Sequence, residues 1–189
     1  MIDLNDESIK ETGSGVAIFN GGEASCNVEN CELVRVERVE DYDAVDFFFA
    51  DSTGAEIKLR EWFVDYDRDG ADKKELSQAK RLKHILTKFL PAGTQLPQAQ
   101  NSEDLLQKCT EALGNTFKGV KVRMKTTFKD SGYLQVPLYV PFMELMTVPV
   151  EETTLKFANF DITTKPSQDS PASIAGATAT AGAAAPSWP

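Results

Sequence analysis

The feature that most constrains this chain is a change of hydrophobic period along its length. Three segments alternating at period two come first, a stretch at helical period follows, and two more alternating segments complete the pattern. The helical stretch runs from about Asp72 to Leu90, with Leu76, Ala79, Leu82, Ile85, Leu86 and Phe89 on one face and Pro91 and Gly93 as the stop. A second, shorter helix is marked by Ser102 as N-cap, by Glu103 and Asp104 in its first turn, and by Leu105, Leu106, Cys109, Ala112 and Leu113 before Gly114.

Ahead of the helices, Cys31–Val39 and Val45–Ala50 are rich in β-branched and aromatic residues and predict two strands. The Asp51-Ser52-Thr53-Gly54 turn leads into an alternating third strand, Ala55–Val64, so strands two and three form a hairpin. Residues 116–128 and 133–142 return to strand around a Lys129-Asp130-Ser131-Gly132 turn, and Pro137 and Pro141 make the last strand an edge. The fold class expected is mixed β with helices: a five-stranded OB-like barrel whose helical insert lies between strands three and four. An unrelated α+β sheet would give the same order. Residues 1–30 read as an irregular arm with one short strand at Val16–Phe19, 31–164 as the OB-like domain, and 165–189 as a disordered tail of Ser, Pro, Ala, Thr and Gly that ends beside Trp188. Thr154–Phe160 has strand composition without a place in the order.

Charge narrows the function. Twenty Lys and Arg face 29 Asp and Glu, a formal net charge of -9, which argues against a nonspecific cationic nucleic-acid coat and against binding to anionic lipid. Acids crowd the front of the chain, leaving the middle relatively cation-rich. No basic-then-apolar leader opens the sequence and no run approaches a membrane span, so a soluble, cytoplasmic protein with no membrane partner is expected. Three cysteines fit free thiols in a reducing compartment.

Alternation places the cations. In the third strand, Ile57 and Leu59 share one face and leave Lys58, Arg60 and Trp62 on the other; in the fourth, Lys121, Arg123 and Lys125 oppose Val120, Val122 and Met124. Single-stranded nucleic acid calls for this combination, because cations track phosphates and exposed aromatics stack on bases whatever the sequence. Arg35 and Tyr133 complete the candidate binding set, with Phe48 and Tyr139 as further stacking platforms. A solvated sheet face with charges guarding it against edge pairing would show the same pattern.

Other chemistry is poorly served. Asp65-x-Asp67-x-Asp69-Gly70 copies the first half of a calcium loop, but Leu76 stands where the bidentate Glu belongs, so a solvated acidic loop at a helix start is the plainer reading. His84 is the sole histidine, and a zinc site would have to gather it with Cys26, Cys31 and Cys109 from scattered segments. Neither a phosphate-binding loop nor a nucleophile–base pair at diagnostic spacing occurs. A binding protein rather than an enzyme is expected, with no cofactor and no metal. The alternative is a structural or protein-interaction module, such as a virion or host-factor-binding unit.

The strand order, the basic-aromatic faces inside an acidic chain, the helical insert, the trailing tail, and the Asn30-Cys31-Glu32-Leu33, Trp62-Phe63 and Arg81-Leu82-Lys83-His84-Ile85 segments together resemble the OB-type single-stranded DNA-binding proteins of bacteriophages. The resemblance covers about Asn30 to Met146. It implies cooperative protection of exposed strands during DNA replication or recombination, contact between copies as a homo-oligomer, residence in the host cytoplasm, and recruitment of replication or recombination proteins through the tail. The tail departs from the pattern: it keeps Trp188, but Asp169 is its one acid.

Overall fold

A computed structural model describes residues 17–166; the N-terminal part of the arm and the expected tail from 167 onward lie outside the described residues. The element order is β1 (Ser25–Val39), β2 (Ala44–Ala50), β3 (Glu56–Trp62), α1 (Ala71–Phe89), α2 (Ser102–Leu113), β4 (Lys121–Phe128), β5 (Leu134–Gln135) and β6 (Met143–Leu145). All pairings are antiparallel, in the order β3-β2-β1-β4-β5, with β6 also against β4. Three strands, two helices and a return to strand are thus in the expected sequence. Among the described residues no helix is long and apolar enough to cross a membrane.

The closed barrel is not present. β3 and β5 approach each other, but among the described residues no ladder joins them, so the sheet is open. The cause lies in the last strand. Of the expected edge strand 133–142 only Leu134–Gln135 forms: after Gln135 the chain leaves β4, and the next ladder with it, that of β6, begins at Met143. Pro137 and Pro141 lack the N–H a ladder needs.

Other boundaries differ too: the strand expected over 116–128 begins at Lys121, after a turn. Phe19–Gly22 is a 3₁₀ turn, with Asn20 and Gly21 at positive φ, and Ala17 and Ile18 are in no strand; Val16, the first residue of the strand expected over Val16–Phe19, lies outside the described residues. β1 begins at Ser25 instead of Cys31. Register shifts between Ser25 and Val28 and between Val28 and Cys31 let this polar lead-in pair with β4 while leaving no clean alternation to read. Thr154–Phe160 forms no strand; one bridge, Phe128 to Ile162, ties the segment after β6 to β4.

The core sits between the inner sheet face and the helices. Leu33, Phe47, Phe49, Leu59, Val122 and Met124 pack against Leu82, Ile85, Leu86 and Phe89 of α1 and Leu106, Cys109 and Leu113 of α2. Both Phe47 and Phe49 are wholly buried, each stabilising by about 1.5–3 kcal/mol. α2 starts at Asn101, whose side chain accepts from the Asp104 amide. Ser102, expected as the cap, instead points inward and donates to Gln78 Oε1 at 2.6 Å.

Candidate nucleic-acid interface

β3 alternates as its sequence requires: Ile57, Leu59 and Glu61 face inward, while Lys58, Arg60 and Trp62 face outward. Pairing with β2 sets Phe48 beside Lys58, Asp46 beside Arg60 and Ala44 beside Trp62. Pairing of β2 with β1 brings Arg35 to Phe48. Four of the expected residues, Arg35, Lys58, Arg60 and Trp62, therefore share one outer face.

That face is layered. The Arg35 guanidinium lies 3.6 Å from the Phe48 ring centroid, and the Lys58 ammonium is 5.9 Å from the same ring. Arg60 stands 5.3 Å from the Trp62 ring and 5.4 Å from Tyr42, whose ring meets Trp62 edge-on at 6.0 Å. Trp62 and Tyr42 are 53% and 55% exposed, so both offer aromatic surface to a ligand. Tyr42 belongs to the β1–β2 turn and lies outside the binding set expected from the sequence; an aromatic in a turn flanking a basic-aromatic strand is the signal that marks it.

The cations are also paired within the face. Asp46 accepts two bonds from Arg60, at 2.6 and 2.7 Å, and one from Lys58 at 3.2 Å, while Arg35 pairs with Glu37 and Glu56. Burial alone would raise the Asp46 carboxyl, but its hydrogen bonds outweigh that and hold it below the ordinary carboxylate range. Asp46 thus fixes where Lys58 and Arg60 stand and cancels part of their charge.

β4 departs from expectation. Its alternation holds, yet only Lys121 is exposed; Arg123 and Lys125 are 3% and 1% exposed. β6 and the segments on either side of it supply their partners. Arg123 donates to Glu144 at 2.7 Å and to the Val148 carbonyl, and Lys125 donates to Tyr139 Oη and the Lys156 carbonyl, each at 2.9 Å, with Asp161 alongside. Tyr139 in turn donates to Asp161. Period-two patterning assigns a side but says nothing of what lies over it, so these two cations, expected on a binding face, are structural. Lys121 is held 3.9 Å from Glu32 at the other end of the face from Trp62. Tyr133, 70% exposed, stands on the β4–β5 hairpin rather than on the β1–β3 face.

Below Trp62 a groove of about 920 Å³ runs between the β1–β2 turn and α1, lined by Tyr42, Arg60, Trp62, Arg68, Lys74 and Arg81 among others. Beneath it lies a polar network. Glu61, 1% exposed, accepts from Arg81 at 2.5 and 2.7 Å and from Gln78 at 3.3 Å, and Arg81 also donates to the Leu138 carbonyl.

The remaining candidates have local explanations. Asp65 accepts from the Asp67 amide and pairs with Arg68, which makes the acidic loop a self-bonded turn; helix α1 begins at Gly70 without a side-chain cap. No group of three or more potential metal ligands forms among the described residues. Burial pushes the Cys31 thiol up to about 12 and that of Cys109 to about 11.

His84 packs edge-on against Phe142, and its Nε2 accepts from the Phe142 and Met143 amides. Burial first, then nearby Lys88, lowers it to about 4. The folded value lies below the unfolded one near 6.5, so the folded chain binds fewer protons between these limits and its stability drops as pH falls. Urea denaturation is expected to show a loss of about 2 kcal/mol between pH 6.5 and 5. A His84→Gln variant, which keeps an acceptor without a titrating ring, should flatten that slope; an unchanged slope would refute the assignment.

Comparison of the chain with protein-family models, with curated proteins and with solved structures gives no match in any of the three.

Proposed function

We propose that the protein binds single-stranded DNA, tolerant of sequence, across the outer face of β1–β3, in the replication or recombination setting that the bacteriophage resemblance implies. The observation that carries this reading is the exposed Tyr42–Trp62 pair flanking Arg60, with Lys58 and the Arg35–Phe48 stack on the same face. Stacking supplies affinity that does not depend on base identity, and the cations sit within reach of the phosphates between stacked bases. The strand order, the helices inserted between β3 and β4, and the approach of β3 to β5 support an OB-type layout for the sheet.

Titration of fluorescent oligo-dT tests the function. Binding should be clear at low salt and should weaken linearly in log–log form as salt rises. No binding even at low salt would remove this reading.

One observation favours a protein partner instead. The charges of the face cancel, with Arg35, Lys58 and Arg60 set against Glu37, Asp46 and Glu56, and the groove below it carries both signs. Salt-independent capture of protein without nuclease-sensitive material would favour that reading.

A further inference from the structure

The cations of the sheet face are engaged by carboxylates, and on α1 Arg81 is held by Glu61, but three lysines of that helix have no such partner among the described residues. Lys73, Lys74 and Lys80 are exposed, and among the described residues none has a carboxylate oxygen within 4.0 Å. In a chain of net charge -9 these three form a local cluster of cations without a carboxylate partner among the described residues. Lys73 and Lys80 lie on one helical face, two turns apart, so they span about 10 Å, roughly three nucleotides at the 3.4 Å rise of a stacked strand.

The surface leads there from Trp62. The groove below Trp62 takes in Lys74, Ser77 and Arg81, and a second hollow of about 320 Å³ shares Ser77 and Arg81 and continues to Lys73, Lys80 and Val140. The rest of the first groove carries Glu40, Asp41, Asp43 and Asp65. These acids repel phosphate and leave the α1 side as the favourable track.

We propose that a bound single strand does not end at Trp62 but crosses the open seam between β3 and the β5–β6 connection and continues along α1, with Lys73, Lys74 and Lys80 meeting its phosphates. This path rests on the single-strand-binding reading above. It assigns to a helix, and to residues outside the sheet, a share of the salt-dependent affinity.

The test compares the full-length wild type, Lys73→Ala/Lys80→Ala, Trp62→Ala and Lys118→Ala, the last removing an exposed cation that lines neither hollow. Each is titrated with fluorescent oligo-dT of increasing length at several salt concentrations. The double variant should lose about 1.4 from the magnitude of the log–log salt slope, two contacts at about 0.7 each. Its affinity should also stop rising at a shorter oligomer than the wild type's, and Lys118→Ala should do neither. Wild-type slope and length dependence in the double variant, with Trp62→Ala still weakening binding, would overturn the α1 path and leave the sheet-face reading standing. Failure of the wild type to bind any oligomer at low salt would overturn both.

Discussion

Replacing Arg81 with Met is expected to destabilise the fold by about 3–5 kcal/mol, because it strands the Glu61 carboxylate in the interior. Glu61 points inward from β3, and Arg81 reaches it from α1 with two hydrogen bonds. Gln78 supplies one more, itself fixed by Ser102 and the Trp62 carbonyl. Arg81 also donates to the Leu138 carbonyl, so one side chain ties the β3 edge to the segment between β5 and β6, where the sheet lacks a ladder. Urea denaturation measures the loss. A Glu61→Leu/Arg81→Met double variant should recover more than half of it, since an apolar pair of similar volume leaves no uncompensated charge. A single-variant loss under about 1 kcal/mol would mean that the pair behaves as an exposed one.

Trp62→Ala is expected to weaken oligo-dT binding by about 1–3 kcal/mol, roughly 5- to 150-fold, the range for losing one base-stacking platform. The side chain is half exposed, and the backbone carbonyl that Gln78 uses is kept, so the unfolding transition should hardly move. Trp62→Phe should retain most of the affinity. Arg60→Ala should cost less than Trp62→Ala, because Asp46 already neutralises much of what Arg60 offers a phosphate. Fluorescence anisotropy of labelled oligo-dT decides the order. Equal affinity for wild type and Trp62→Ala would remove Trp62 from the interface.

Much of the layout could be read from the residues. The α1 face Leu82-Ile85-Leu86-Phe89 and the β3 alternation Ile57-Leu59 against Lys58-Arg60-Trp62 appear in the fold as their periods imply, because each is a local pattern with one buried side, whereas Leu76, expected on the same α1 face, is exposed. What could not be read was non-local. Arg123 and Lys125 alternate as faultlessly as Lys58 and Arg60, and only the path of the chain some 20 to 40 residues later decides that they are covered. The complementary signal was present in Glu144 and Asp161, but a carboxylate in a chain with 29 of them selects nothing until the fold brings it close. The start of β1 escaped for a different reason: its bulges break the period at Ser25–Asn30. Tyr42 was hidden by position, since turns are read for their backbone chemistry and not for what their side chains offer.

The pairing of β1 with β4 joins residues such as Ser25 and Thr126, about a hundred positions apart, with both helices emerging between them. During synthesis, therefore, β1 can form its β2 ladder early, while its other edge waits for β4 to leave the ribosome. The Lys125 and Arg123 side chains wait longer still, until Glu144 and Asp161 follow. In synthesis from the N-terminus, closure of the sheet's centre and neutralisation of its buried cations cannot precede the emergence of these late segments. Through that interval the β1 edge, which the folded sheet covers, is available to any other strand, an exposure to wrong pairing that the finished fold removes.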